Sequence, residues 1–199
     1  MSRRLKAILP VAPYLRDHHF EGKTVLPAVE SLILLASIVG ELHPRANLCH
    51  QADAQFSRIL AIDPAAQQVE LQVDVKHWSV GIEASLCSLL KVKNSTMSRR
   101  LEHARVTFVN EDIPRLVSAS PGEAFGQTGD CFFVSSDKIY RELIPFGAFY
   151  QNIIGELAVC EDRVLATISG GSGQADETLL GSPFVLDAAM HAASVWGQR

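Results

Sequence analysis

The segment Asp17-His18-His19-Phe20-Glu21-Gly22-Lys23-Thr24-Val25-Leu26-Pro27 puts two histidines, a glycine and a proline directly ahead of an apolar run. Pro27 suits a first helical turn, because its missing N–H would have no partner there. Leu32, Leu35, Ala36 and Val39 then recur at helical spacing, and His43-Pro44 ends the pattern. A helix is predicted over Pro27–Leu42. Its N-terminus presents free N–H groups and partial positive charge. Gly22 lets a ligand come close to the backbone. A base and a candidate oxyanion site therefore fall within a few residues of each other. Periodicity alone also allows a plainer reading, with two surface loop histidines before an ordinary helix.

A second segment is Ser182-Pro183-Phe184-Val185-Leu186-Asp187-Ala188-Ala189-Met190-His191-Ala192. Ser182-Pro183 reads as a cap and first-turn proline, opening an apolar helix to about Trp196. Asp187 and His191 are four apart and share a helix face. A carboxyl in apolar surroundings is costly to ionise, and a neutral carboxyl is what a general acid needs. A structural Asp–His pair on the polar stripe of a half-buried helix fits the same pattern.

The residues between these helices read as strands. Val69, Leu71, Val73 and Val75 alternate with polar residues. Val80–Val92 and Leu101–Val109 are further strands, with Asn94–Arg100 as the turn between them, and Phe56–Ile62 is a fourth. Residues 111–130 carry Pro114, Pro121, Gly122, Gly126 and Gly129 and read as a linker. Ser135-Ser136-Asp137 caps a short helix, and Leu157–Ile168 is a hairpin turning at Glu161-Asp162. Each half pairs one apolar helix with antiparallel strands, an α+β layout of 1–110, a linker 111–130, and 131–199.

Composition narrows the function. The 199 residues carry 18 Lys and Arg against 22 Asp and Glu, a net charge of −4, which argues against nucleic-acid binding. No apolar run reaches membrane-spanning length. Arg3, Arg4 and Lys6 are followed by Pro10, Pro13, Arg16 and Asp17 rather than by a signal core, so a cytoplasmic chain is expected. The cysteines, Cys49, Cys87, Cys131 and Cys160, form no metal-binding spacing, so no metal site is expected, and Cys87 and Cys160 read as small buried hydrophobes. His43, His50, His77 and His103 read as exposed or structural, and Tyr140, Leu143, Gly147 and Tyr150 as packing. No P-loop, Rossmann, G-x-S-x-G or H-E-x-x-H motif occurs.

Taken together, the two helix-associated segments resemble a known family. His18-x-x-x-Gly22-x-x-x-x-Pro27, preceded by Leu15-Arg16-Asp17, is similar to the H-x-x-x-G-x-x-x-x-P motif of polyketide-synthase-type dehydratases. Asp187-x-x-x-His191, preceded by Pro183 and Leu186, resembles the family's D-x-x-x-Q or D-x-x-x-H motif. The resemblance implies a double hot-dog fold, two antiparallel sheets each wrapped round a central helix. It implies removal of water from 3-hydroxyacyl thioesters carried on the phosphopantetheine arm of acyl carrier protein, with no metal and no other cofactor. His18 would be the base and Asp187 the acid, with Gly22, Pro27, Gly147, Tyr150 and His191 binding substrate or supporting them. Other synthase domains and a second copy of the chain are the implied partners.

Three departures keep alternatives open. His19-Phe20-Glu21-Gly22 is also similar to the His-Phe-Pro-Gly segment of single-hot-dog bacterial dehydratases, which makes His19 a rival base. Gln151-Asn152 stands where the family's tyrosine segment carries Gly-Pro. The second half is short for a hot dog, so it is expected to be incomplete or completed by another chain. A polyketone cyclase, an enoyl isomerase or a non-catalytic acyl-binding module would use the same framework.

Overall fold

The computed structural model describes residues 2–91, 97–110, 130–171 and 178–198. Their contacts divide the chain into two compact units. The first lies within Met1–Ile113 with Thr178–Leu180, the second within Pro114–Glu177 with Gly181–Arg199. The expected linker falls outside the described residues, apart from Asp130. Among the described residues, no helix is long and apolar enough to cross a membrane.

In the first unit, β1 (Ser2–Pro10), β4 (Gln51–Gln55), β5 (Gln68–Trp78), β6 (Gly81–Lys91) and β7 (Ser98–Val109) form an antiparallel sheet in the order β1-β5-β6-β7-β4. The alternation seen in the sequence sets its faces. Val73, Ala84, Leu86, Val106 and Phe108 are buried, and α1 (Ala28–Leu42) packs against β6 and β7. Leu35, Ala36 and Val39 are fully covered. Pro27 caps α1 from outside it, as its fixed φ favours.

Three strand expectations change. β1 escapes sequence reading because Arg3, Arg4 and Lys6 mask a period-two pattern in which Ala7 and Leu9 are buried. Arg99 and Arg100 lie in β7 and not in a turn, opposite Leu90 and Leu89, and the Arg100 charge is met by Asp74. Residues 94–96 of that expected turn lie outside the described residues. Phe56–Ile62 is not a regular strand. The strand lies just before it, at Gln51–Gln55, while Ala61 makes a lone bridge to Val25 and Leu60 and Ile62 bury their side chains.

In the second unit, β8 (Phe132–Ser135), β9 (Ile153–Val159) and β10 (Val164–Ile168) form an antiparallel sheet in the order β10-β9-β8. The expected hairpin is β9–β10. The Ser135 hydroxyl caps the next turn by accepting from the Lys138 N–H at 3.3 Å, and a π-helical turn Ile139–Leu143 follows. α2 (Pro183–Gly197) packs on β9 and β10, and its Ala188, Ala192 and Val195 share one core with Ile139, Tyr140, Leu157 and Val159. The Ser182 hydroxyl does not cap α2 and donates instead to the Gly170 carbonyl at 3.3 Å. Cys160 is not a free buried thiol. It is bonded to Cys131, a link that spacing could not announce because no close cysteine pair marks it. Cys87 is free and buried, as expected.

Candidate active site

His18 is placed by a 3-10 turn, Pro13–Asp17, whose last carbonyls it closes. Its N–H donates to Leu15 at 3.3 Å. Its own carbonyl accepts from the Val25 N–H at 2.9 Å, and its ring Nδ1 lies 3.1 Å from the Val25 carbonyl. A carbonyl can only accept, so Nδ1 carries a proton, and in the neutral ring the lone pair is on Nε2. That tautomer is the one a general base requires. His19 is exposed, with its Nδ1 3.2 Å from the Asp17 carbonyl, and it belongs to β2 (His19–Phe20).

Gly22 sits at the turn between β2 and β3 (Lys23–Thr24). Glu21 and Gly22 both have positive φ, 49° and 73°, the pattern of a two-residue hairpin turn. No atom lies within 4 Å of where a Cβ on Gly22 would be, so the glycine is needed for its backbone angle and leaves open space above it. From Val25 the chain enters α1 through Leu26, whose N–H bonds Leu60, and Pro27, whose carbonyl accepts from the Ser31 N–H. The first-turn N–H groups of α1 follow directly.

In the second unit Asp187 and His191 lie on the inward face of α2, 4% and 5% exposed. His191 Nε2 is 2.8 Å from Asp187 Oδ2, an ion-pair distance without the alignment of a hydrogen bond. Asp187 Oδ2 and both His191 nitrogens have no hydrogen-bond partner among the described residues. Buried polar atoms are ordinarily satisfied, and exceptions gather at functional sites.

Sequence reading missed what holds His191. The Phe146 ring lies 5.2 Å from the imidazole and the Tyr140 ring 6.0 Å, edge-on. The only sequence signal was the helical spacing of Tyr140 and the place of Phe146 beside Gly147. Gly147 precedes the 3-10 turn Ala148–Tyr150, and Tyr150 is 1% exposed, its ring edge-on to Phe146 and Phe184. Gln151-Asn152 has a structural reason. Gln151 donates to the Phe146 carbonyl at 2.8 Å and Asn152 to the Phe149 carbonyl at 2.7 Å, while Asn152 Oδ1 accepts from Ser169 at 2.9 Å. Side-chain amides thus tie the turn to the end of β10. Among the other histidines, His103 is buried and structural, bonded to Ser88 and the Arg58 carbonyl, and burial holds its imidazole below the usual range.

No protein-family model and no curated protein matches the sequence. Solved structures do. The dehydratase domain from the CurF module of the curacin polyketide synthase is 17% identical, with a TM-score of 0.72 over 98% of this chain and 70% of that one. A CurJ dehydratase, an inactive mutant with a histidine replaced by phenylalanine and a compound bound, is 17% identical, with a TM-score of 0.73 over 98% of this chain and 67% of that one. A trans-AT dehydratase domain from Brevibacillus brevis is 21% identical, with a TM-score of 0.69 over 96% and 69%. The chain has the α+β hot-dog fold of polyketide synthase dehydratase domains.

Proposed function

We propose that the chain dehydrates 3-hydroxyacyl thioesters, carried on acyl carrier protein, to 2-enoyl thioesters in polyketide synthesis. The observation that carries the reading is the buried Asp187–His191 pair with unsatisfied polar atoms, on a helix whose motif partner His18 is held through Nδ1 by the Val25 carbonyl. The likeness of fold supports it, and so does the inactivity of the histidine mutant among the similar structures.

In this reading the units are the two halves of a double hot-dog, and the base and the acid act on one substrate. His18 Nε2 takes the proton from C2 of the acyl chain, beside the thioester carbonyl, a task suited to an imidazole base. N–H groups near Gly22 and at the start of α1, set by Pro27, steady the enolate-like oxygen. The Asp187 carboxyl gives its proton to the 3-hydroxyl, which leaves as water as the C2–C3 double bond forms. A proton then passes from His18 to Asp187 through solvent and restores both. His191 orients Asp187, and Gly147 and Tyr150 border the acyl chain. The phosphopantetheine thioester brings all the activation needed, so no metal or other cofactor takes part. Acyl carrier protein, other synthase domains and a second copy of the chain are the partners.

The test is turnover of a short 3-hydroxyacyl-pantetheine thioester, followed in either direction. His18→Ala and Asp187→Asn should each lower kcat by about 10²–10⁴-fold, the usual worth of an acid or base. Wild-type rates in both variants would overturn the assignment. Loss in His19→Ala but not in His18→Ala would move the base by one residue.

A further inference from the structure

α1 ends where His43 precedes Pro44, a position that resists helical geometry. The His43 N–H closes the helix on the Val39 carbonyl at 2.8 Å, and the His43 carbonyl accepts from the Ala46 N–H at 2.8 Å. His43-Pro44-Arg45-Ala46 is thus a hydrogen-bonded turn with proline at its second position, where a fixed φ suits the bend. The turn leaves the Arg45 backbone little freedom. Nearby, β5 runs out of core. Val73 and Val75 are buried, and His77, the next residue on the same face, is exposed. Ile82 of β6 is its partner across the ladder. The His43 and His77 rings meet with centroids 5.8 Å apart, tilted by 41°. Asn110 follows β7, and its N–H donates to the Val80 carbonyl at 3.2 Å.

These segments line a cavity of about 420 Å³, a size ordinary for a small-molecule site. Leu42 and Ile82 supply apolar wall, and the polar side chains are those of His43, Arg45, His77 and Asn110. Among the described residues, none of the four makes a side-chain hydrogen bond or ion pair. All four can donate an N–H, and no carboxyl lines the cavity. The carbonyl end of α1 opposes an anion here, but it carries a partial charge and the guanidinium a full one. The cavity stands at the far end of α1 from Pro27, about 22 Å along a 15-residue helix, and so apart from the His18 segment.

We propose that His43, Arg45, His77 and Asn110 form a second binding site, for a small organic anion. A phosphate or carboxylate head meets Arg45 and the neighbouring N–H donors, and an apolar group lies against Leu42 and Ile82. A head with several acceptor oxygens matches the donor fork of an arginine. A metal ion is the poorer fit, since two imidazoles without a carboxylate or thiolate fall short of a metal's ligand set and the guanidinium repels it. The inference does not depend on the roles of His18 and Asp187.

Phenyl phosphate is the probe, and benzyl alcohol its uncharged counterpart. Binding is read on the whole chain from the ring ¹H–¹³C signals of His43 and His77, which needs no turnover. Phenyl phosphate should shift both histidines saturably, with Kd at or below about 1 mM, and inorganic phosphate should compete with it. Benzyl alcohol should bind at least about tenfold more weakly. Arg45→Gln removes the charge from an exposed side chain and should raise Kd about tenfold, the worth of a charged hydrogen bond. His77→Asn should also weaken binding, and unchanged circular dichroism in both variants shows that the losses are local. No saturable shift in wild type, equal binding of the uncharged probe, or wild-type affinity in Arg45→Gln would each overturn the proposal.

Discussion

Two adjacent glycines should respond very differently to the same substitution. Gly171 has φ +85°, and a Cβ added there would stand 2.4 Å from Phe184 Cδ2 and 2.8 Å from Cγ. Carbons ordinarily meet at about 3.5–4.0 Å. Phe184 cannot easily yield, because it is 2% exposed and its ring lies 5.9 Å from that of Tyr150. Left-handed backbone costs a residue with a side chain about 1–2 kcal/mol. Overpacking a filled core costs about 1–3 kcal/mol more. Gly171→Ala should therefore destabilise by about 2–5 kcal/mol. At Gly170 the φ lies outside the left-handed region and no atom comes within 4 Å of a built Cβ. Gly170→Ala should stay within about 0.5 kcal/mol of wild type. Urea denaturation followed by circular dichroism measures both. Phe184 stands three residues before Asp187 on α2, so a displaced ring should also disturb the acid, and thioester turnover should fall with Gly171→Ala alone. Equal stability of the two variants would refute the argument.

Other expectations follow from the charge and crosslink network. Burial alone would raise the Asp74 carboxyl, but the Arg4 hydrogen bond and the Arg100 charge outweigh it and hold the group below its ordinary value of 3.8. A depressed carboxylate stabilises the fold above its unfolded value and loses that contribution as pH falls through the folded one. Stability should fall from near pH 4 downward, and Asp74→Asn should flatten that limb in denaturation curves taken across acid pH. Cys131 and Cys160 are 29 residues apart, and closing such a loop is worth about 3–4 kcal/mol. Cys131→Ser or added reductant should lower urea stability by that order, and no change on reduction would refute it.

Much of the fold was legible. α1 and α2 were found because a proline at the start and apolar spacing along the helix agree, and β5–β7 because one face of each is buried. β1 was hidden because its outward residues include arginine and lysine, whose charges mask the inward alternation of Ala7 and Leu9. The site motifs were legible as residue types at fixed spacing. Their supports were not. Phe146 and Tyr140 against His191 come from separate elements, and no local pattern records such pairings. Gln151-Asn152 looked like a departure because its use, tying a turn to Ser169, depends on tertiary placement.

The strand order of the first sheet also bears on when its parts assemble. β5, β6 and β7 are neighbours in sequence and in the sheet, so each pairing closes a short loop. β1 must find β5 across most of the unit, with Ser2 opposite Lys76 and Pro10 opposite Gln68. Longer loops cost more chain entropy to close, which delays such pairings relative to local ones. The meander can therefore order first, and β1 with the turn that follows it docks onto a sheet already built. By the same token, detachment of β1 is a smaller opening than loss of the sheet. His18 rides on the chain just beyond that strand, so the histidine can come and go while the rest of the unit stays folded.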